Sequence, residues 1–400
     1  MSRSKAFPSA AFSNGHVLEL IRTGKATTRT ELGRVTGLSR PAVALRVGEL
    51  VAHGLVLEET TAPSNGGRPP SQLQFNSSGG VILTAALGIS RSQVAVCDLS
   101  GRVLAQENGS PHVEHGPTAA LEWVMDSWES LIGKTGHTVH DVYGTGISVP
   151  ATVEFAVART QNPPVLANWS DVAVEPQVAE RFPGPVLLDN DVNVMALAEH
   201  RSLHGAPDAD DMIVVKASTG IGAGIISGGA LVRGSLGAAG ELGHIPVRTS
   251  STRPCRCGNT DCLETVAGGA ALVEHLAAHP TNAETVHEVA ELAHGGDPQA
   301  TYAVRTAGRH LGEVLAGAVN LLNPAVITLG GDLAYAYDPL VAGVREVIFR
   351  RSTALATRQL RIVGSELGEQ AGLLGCAVMV LDHILSPEAV NAMIASQTSR

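Results

Sequence analysis

The sequence has little cysteine, little charge and no long uninterrupted hydrophobic run. Its 400 residues include five cysteines, and Cys255, Cys257 and Cys262 crowd into one short loop. That count and clustering exclude a secreted disulfide framework and favour a metal. No stretch of about 18 apolar residues escapes interruption by charge or glycine, which argues against a membrane-spanning helix. The opening MSRSKAFPSAAFSNG holds no apolar segment of a secretory leader, so the expected location is cytoplasmic. Charged residues make up 16% and aromatics 3%, against 44% apolar residues, 44 Gly and 21 Pro. This is the composition of a folded, turn-rich globular protein without a collagen-like period.

A single core stops growing at roughly 250–300 residues, so a chain of this length divides into two or three compact units. Net charge supports a division. The chain as a whole carries −10, whereas residues 1–70 hold nine Lys/Arg against five Asp/Glu, leaving a basic head on an acidic body. That asymmetry suits a small nucleic-acid-binding unit joined to a larger domain.

Three helices are predicted in the head. Asn14–Arg22 aligns Val17, Leu18 and Ile21, with Gly24 just past its end. Thr28 and Glu31 have capping-box spacing and open a second helix that ends near Thr36-Gly37. Ser39 caps a third, with Pro41 in its first turn and Val43, Val47, Leu50 and Val51 at helical spacing. The short link between the last two makes a helix-turn-helix. Two short strands, Leu55–Glu58 and Gln72–Phe75, flank the turn-rich SNGGRPP and complete a winged helix. In such a unit the third helix offers its first residues to base edges. The predicted DNA-contacting set is Ser39, Arg40, Ala42, Ala44 and Arg46, with Arg68 at the wing tip aimed at an A·T-rich minor groove. A three-helix protein-interaction module is the alternative for this segment.

From Gly80 strands alternate with helices, the pattern of an α/β domain. Strands are predicted at Val81–Leu87, Gln93–Asp98, Tyr143–Val149, Val186–Leu188, Met212–Lys216 and Ala325–Leu329, and helices at Ala119–Ile132, Val192–His200 and Ala303–Leu322. The strongest local signal is Gly240-Glu241-Leu242-Gly243-His244 followed by Cys255-Arg-Cys257-Gly-Asn-Thr-Asp-Cys262-Leu-Glu264. His244, Cys255, Cys257 and Cys262 supply the four nitrogen and sulfur donors of a closed structural zinc site; a reduced loop with a core histidine is the alternative.

These two motifs resemble the signature of the ROK family (repressors, open reading frames and sugar kinases), and the similarity runs from about Val81 to Leu385. The winged head resembles that of the family's regulators. The resemblance implies an α/β, actin-like (ribonuclease H-like) fold of two lobes with a sugar between them. The expected division is residues 1–78 for the winged helix, 79–190 for the first lobe and 191–376 for the second, with a C-terminal helix over 377–395 returning to the first lobe. Carried over residue by residue, the sugar contacts would be Asn162, Asn190, Asp191, Glu241, His244 and Glu264, with His244 offering one ring nitrogen to zinc and the other to the ligand. Read alone, Asp191 is also a plausible N-cap of the helix that follows it.

In the family's kinases the residue matching Asp191 is the base that takes a proton from the sugar hydroxyl. The second phosphate loop, Ser218-Thr219-Gly220-Ile221-Gly222-Ala223-Gly224, and the glycine pair Gly330-Gly331 are present, although Gly220, Gly222 and Gly224 read equally well as hairpin or close-packing glycines. The first phosphate loop departs from the kinase pattern Asp-x-Gly-Gly-Thr: it reads Ala86-Leu87-Gly88-Ile89-Ser90. Phosphoryl transfer depends on electrostatics around the phosphates and metal, so loss of that carboxylate predicts no catalysis, with Asp191 vestigial. The expected protein is a sugar-responsive transcriptional regulator, most simply a repressor, acting as a dimer or tetramer on operator DNA. An active hexose kinase, and a regulator answering to a phosphosugar or a partner protein, are the alternatives.

Overall fold

The computed structural model describes residues 12–60, 71–89, 91–161, 166–203, 209–249, 252–279 and 281–398. Arg68, Asn162 and Ser90 lie outside these residues.

The head forms α1 (Asn14–Arg22), α2 (Arg29–Thr36), α3 (Arg40–Ala52), β1 (Val56–Thr60) and β2 (Ser71–Phe75). Local chemistry sets its boundaries. Thr28 and Glu31 make the reciprocal capping box of α2, and Gly37 closes that helix at φ 72°, a conformation glycine adopts without strain. Ser39 Oγ caps α3 by accepting from the Ala42 N–H. Val43, Val47 and Leu50 are buried, but Val51 is 38% exposed, because it falls in the last turn, past the end of the packed stripe. β1 and β2 pair antiparallel, and a bridge from Thr28 to Gln72 docks the pair against the start of α2.

Two five-stranded sheets follow with one topology. The first holds β3 (Val81–Ala86), β4 (Ser92–Asp98), β5 (Val103–Gly109), β6 (Val142–Val149) and β9 (Val186–Asn190) in the order β5-β4-β3-β6-β9. The second holds β10 (Met212–Ala217), β11 (Ile221–Ser227), β12 (Ala230–Leu231), β13 (Val326–Gly330) and β14 (Arg361–Gly364) in the order β12-β11-β10-β13-β14. In each, three strands meander antiparallel and two add in parallel. A small hairpin, β7 (Thr152–Glu154) with β8 (Arg159–Gln161), extends the first lobe. The repeated order is that of an actin-like fold.

Helices cover the sheets: α4 (Pro117–Thr135) and α5 (Glu175–Ala179) on the first, and α7 (Glu264–Ala267), α8 (Gly269–Ala277), α9 (Val286–His294), α10 (Pro298–Leu322), α11 (Tyr337–Arg351) and α12 (Ala354–Thr357) with the second. Between the lobes, α6 (Asp191–Ser202) packs on β10 and β11 while α13 (Ala371–Ile384) packs on β3 and β6, and the two helices stack on each other. No side chain fits between them at Gly375, where a Cβ would stand 1.9 Å from the Val194 carbonyl.

The stretch expected as one helix over 377–395 is two, α13 and α14 (Pro387–Thr398), bent by 60°. Proline at 387 lacks an N–H and turns the preceding residue away from helix, and Ser386 Oγ caps the restart by accepting from the Ala389 N–H. α14 packs on α1, so Leu385, Val390 and Ile394 share one buried core with Val17, Leu18 and Leu50 of the head and with Ile82 and Cys97 of the first sheet. Among the described residues no single helix is long and apolar enough to cross a membrane.

Candidate metal centre and ligand cleft

The donors named from the sequence converge. His244 Nδ1 lies 3.5 Å from Cys255 Sγ and Cys257 Sγ lies 3.6 Å from Cys262 Sγ, and all four donor atoms fall within 4.8 Å of one another. A tetrahedral ion with metal–sulfur bonds of about 2.3 Å needs donor separations of about 3.8 Å, so the cluster has the dimensions to hold one. The backbone builds it tightly: Gly258 turns at φ 92°, its N–H reaching the Cys255 carbonyl, and the Cys255 N–H donates to Asn259 O. Burial, with the neighbouring thiols, pushes Cys262 up to about 12. Burial acts the same way on Cys257, yet the Asn259 N–H and the adjacent sulfurs leave that thiol below its ordinary value. Three sulfurs packed this closely lose their protons most readily to a cation.

The same histidine faces the cleft. Its Nε2 is 3.8 Å from Glu241 Oε2, and Glu241 Oε1 accepts from Thr152 Oγ1 of the first lobe at 2.8 Å. Asn190, Asp191, Glu241, His244 and Glu264 all line one cleft of about 1480 Å³ between the lobes. Glu264 starts α7 and accepts from the Ile221 N–H at 3.2 Å. A Cβ on Gly220 would lie 2.3 Å from Glu264 Oε2, so a side chain there would push the carboxylate from this position.

The start of α6 decides the alternative reading of Asp191 as a helix cap. The N-cap of α6 is Asn190, whose Oδ1 accepts from the Val192 N–H while its Nδ2 donates to Ala151 O. Asp191 is therefore not the cap. Its carboxylate instead meets Lys216 Nζ at 2.6 Å. Burial works against the Lys216 charge, but Asp191, with a smaller push from Asp332, lifts the ammonium above the usual lysine value. The sequence held no signal for Lys216, because nothing local pairs β10 with the start of α6.

The glycine-rich 218–224 stretch is largely strand. Only 218–220 form the turn between β10 and β11, and Gly224 lies where a Cβ would stand 2.5 Å from Ala196 Cβ in α6. The close-packing reading holds for that residue. Across the cleft, Ala86 and Ile89 line the corresponding turn after β3, and Ala86 abuts Gly372 at the start of α13.

In the head, Ser39, Arg40 and Ala44 are exposed along α3, beside Leu45 at 62% exposure. Ala42 is half-buried against the core. Arg46 does not stand with the exposed group: it is half-buried, and its Nη1 donates to Asn14 Oδ1 in α1. One helical turn separates Arg46 from Ala42, on the flank that faces α1. Arg34, exposed in the last turn of α2, was not singled out from the sequence.

Comparison with known proteins agrees with this construction. The chain is 28% identical to the xylose repressor of Caldicellulosiruptor bescii over 383 residues, covering 92% of this chain and 95% of that one. A solved ROK family transcriptional regulator, a homologue of the Escherichia coli MLC protein, superposes with a TM-score of 0.81 at 27% identity, over 96% of this chain and 98% of that one. A ROK family glucokinase from Streptomyces griseus, in complex with glucose and AMPPNP, gives a TM-score of 0.63 at 29% identity and covers 75% of this chain with 99% of its own. Residues 83–383 match the sequence profile of the ROK family, so the chain belongs to the ROK family.

Proposed function

We propose that this protein is a sugar-responsive DNA-binding transcriptional regulator whose kinase-like body serves as the sensor. The observation that carries the reading is one cleft that keeps Asp191, Glu241, His244 and Glu264 but has Ala86 at the first phosphate turn, joined through a continuous core to a winged helix. Likeness supports it: the regulator matches nearly the whole chain, the glucokinase three quarters.

In this reading residues 1–78, 79–190 and 191–376 are the head and the two lobes, and the chain's end returns to the first lobe and the head. Arg40, Ser39 and Ala44 meet base edges, Arg34 a phosphate, and Arg68 the minor groove. A sugar bound by Asn162, Asp191, Glu241, His244 and Glu264, with Asn190 orienting the start of α6, biases the lobes toward closure. In a dimer on a two-fold operator, closure changes the spacing of the heads, and DNA is released. A hundredfold change in operator affinity needs about 2.7 kcal/mol of coupling, within the usual range for two-site systems.

Zinc held by His244, Cys255, Cys257 and Cys262 has a structural role: it fixes the loop between Glu241 and Glu264. Catalysis is absent in this reading because the carboxylate that would position a metal–nucleotide is missing at Ala86. The protein acts in the cytoplasm, where its DNA is.

The test pairs two measurements on the full chain: calorimetric titration with D-xylose, D-glucose and D-glucose 6-phosphate, and binding to DNA fragments selected by the protein from a random pool, with and without each sugar. Saturable sugar binding that shifts DNA affinity is expected. ATP-dependent phosphate transfer to a sugar, abolished by Asp191→Asn, would establish the kinase instead.

A further inference from the structure

Arg233 lies outside the cleft and outside every motif considered so far. It follows β12 and opens the segment 233–241, which ends on Glu241. Its Nε donates to Asp189 Oδ2 at 2.7 Å, and its guanidinium carbon stands 3.8 Å above the centre of the Phe155 ring. Both partners belong to the first lobe, whereas Arg233 belongs to the second. Asp189 is 1% exposed, so the arginine is the cation that makes a buried carboxylate tolerable there.

The other oxygen of Asp189 builds the opposite wall. Oδ1 accepts from the Asn190 N–H and from Asn193 Nδ2, both at 2.8 Å. One carboxylate thus organises the start of α6, where Asp191 stands, and tethers the segment that delivers Glu241. The rest of that segment is seated on the first lobe too. Gly237, at φ 80°, passes so close to β7 that a Cβ would stand 1.9 Å from the Val153 carbonyl. Thr152 Oγ1 then reaches Glu241 Oε1. The segment closes on itself through the Ala239 N–H to Arg233 O at 3.1 Å.

We propose that Arg233 is the positioning residue of the ligand cleft: by pinning 233–241 to Asp189 and Phe155 it sets Glu241 across from Asp191. Neither Arg233 nor Asp189 is among the residues lining the cleft, so its action passes through Glu241 and α6. Geometry favours arginine over lysine, because a planar guanidinium can stack on Phe155 and hydrogen-bond Asp189 at once, and a point ammonium cannot. The inference rests on the sugar-sensor reading for its consequence, but not for the pin itself.

The experiment uses the full chain with Arg233→Met, Arg233→Lys and the double variant Arg233→Met/Asp189→Asn, which removes the orphaned charge and guards against simple unfolding. Two readouts are taken: hydrogen exchange of the 233–241 amides without sugar, and calorimetric affinity for whichever of D-xylose and D-glucose binds the wild type. The expected result is exchange at least tenfold faster over 233–241 in both methionine variants, with sugar affinity lowered at least tenfold and partly recovered in Arg233→Lys. Wild-type sugar affinity in the double variant, at wild-type melting temperature, overturns the positioning role. Unchanged exchange over 233–241 overturns the pin. If the wild type binds neither sugar, the sensor reading fails, and the exchange data still decide whether Arg233 holds the segment.

Discussion

The backbone N–H of Gly15 in α1 donates to Asn391 Oδ1 in α14 at 3.1 Å, joining the DNA-binding head to the chain's last helix across 376 positions. The contact is possible because residue 15 is glycine: a Cβ there would stand 2.3 Å from Pro387 Cα and 2.4 Å from its carbonyl oxygen. α14 continues from α13, α13 stacks on α6, and α6 begins at Asp191. Head and cleft are thereby connected through packed helices as well as through the short 76–80 link between β2 and β3.

Replacing Gly15 with alanine sets two effects against each other. Helix propensity favours alanine by about 1 kcal/mol, whereas overpacking against atoms that cannot rotate away costs about 1–3 kcal/mol. The three nearest atoms are all backbone, so the loss should win. Gly15→Ala is expected to lower the melting temperature and to speed proteolysis of α14, and Asn391→Ala to do so more weakly. A more stable Gly15→Ala protein would show that α14 yields at this contact.

The two arginines of α3 should separate cleanly. Arg40 is exposed and makes no ion pair among the described residues, so Arg40→Ala should leave stability within about 0.5 kcal/mol while weakening selected DNA by about 1–3 kcal/mol. Arg46 bonds Asn14, which in turn donates to Glu49 Oε2. Arg46→Ala is expected to lower the melting temperature. Equal stability and equal DNA loss for the two variants would return Arg46 to the exposed set.

How much of this could be read from the sequence follows the distance over which each feature is determined. The capping box at Thr28, the cap at Ser39 and the Cys255–Cys262 knuckle are decided within a few residues, and all were legible. The bend at Pro387 was local too, but a run of apolar and small residues on both sides masked it. Lys216 beside Asp191, Arg233 beside Asp189 and Gly15 beside Pro387 are partnerships between distant segments, and no spacing rule reaches them. Gly224 left two readings open for a related reason: close helix packing and phosphate binding both call for a missing side chain, and only the fold shows the α6 contact.

Removing the metal should act on the cleft from one side only. On the proposal that the cluster holds zinc, Cys257→Ser or prolonged chelation is expected to lower the zinc content measured by atomic absorption and to weaken sugar binding through His244 and Glu264. The head should keep its stability, since it shares no core with the metal loop. Undiminished sugar affinity in metal-free protein would detach the cluster from effector recognition.

Glu199 offers a pH test. Burial raises its carboxyl above the ordinary glutamate value, with Glu366 adding to the effect and the Ser365 hydroxyl opposing it. An acid with a raised folded-state pKa holds its proton better when folded, so stability falls as pH rises from the unfolded value through the folded one. Glu199→Gln keeps a hydrogen-bond acceptor for Ser365 and removes the buried charge. Its melting temperature should exceed that of wild type near neutral pH, and the difference should shrink toward pH 4. A constant difference across that range would mean that Glu199 does not titrate as its burial requires.

The Lys216–Asp191 pair tests how the first residue of α6 serves the cleft. Both side chains are mostly buried, 28% and 16% exposed, so removing one partner strands a charge in a poorly solvated place, while removing both does not. Lys216→Met and Asp191→Asn should each destabilise the protein, and the double variant should lose less than their sum, with a coupling of about 0.5–3 kcal/mol. Sugar binding should fail in both variants that lack the Asp191 carboxylate but persist in Lys216→Met. That split separates the acceptor that meets the ligand from the cation that holds it in place. Additive stabilities would reduce the pair to two independent surface charges, and intact sugar binding by Asp191→Asn would remove Asp191 from the ligand site.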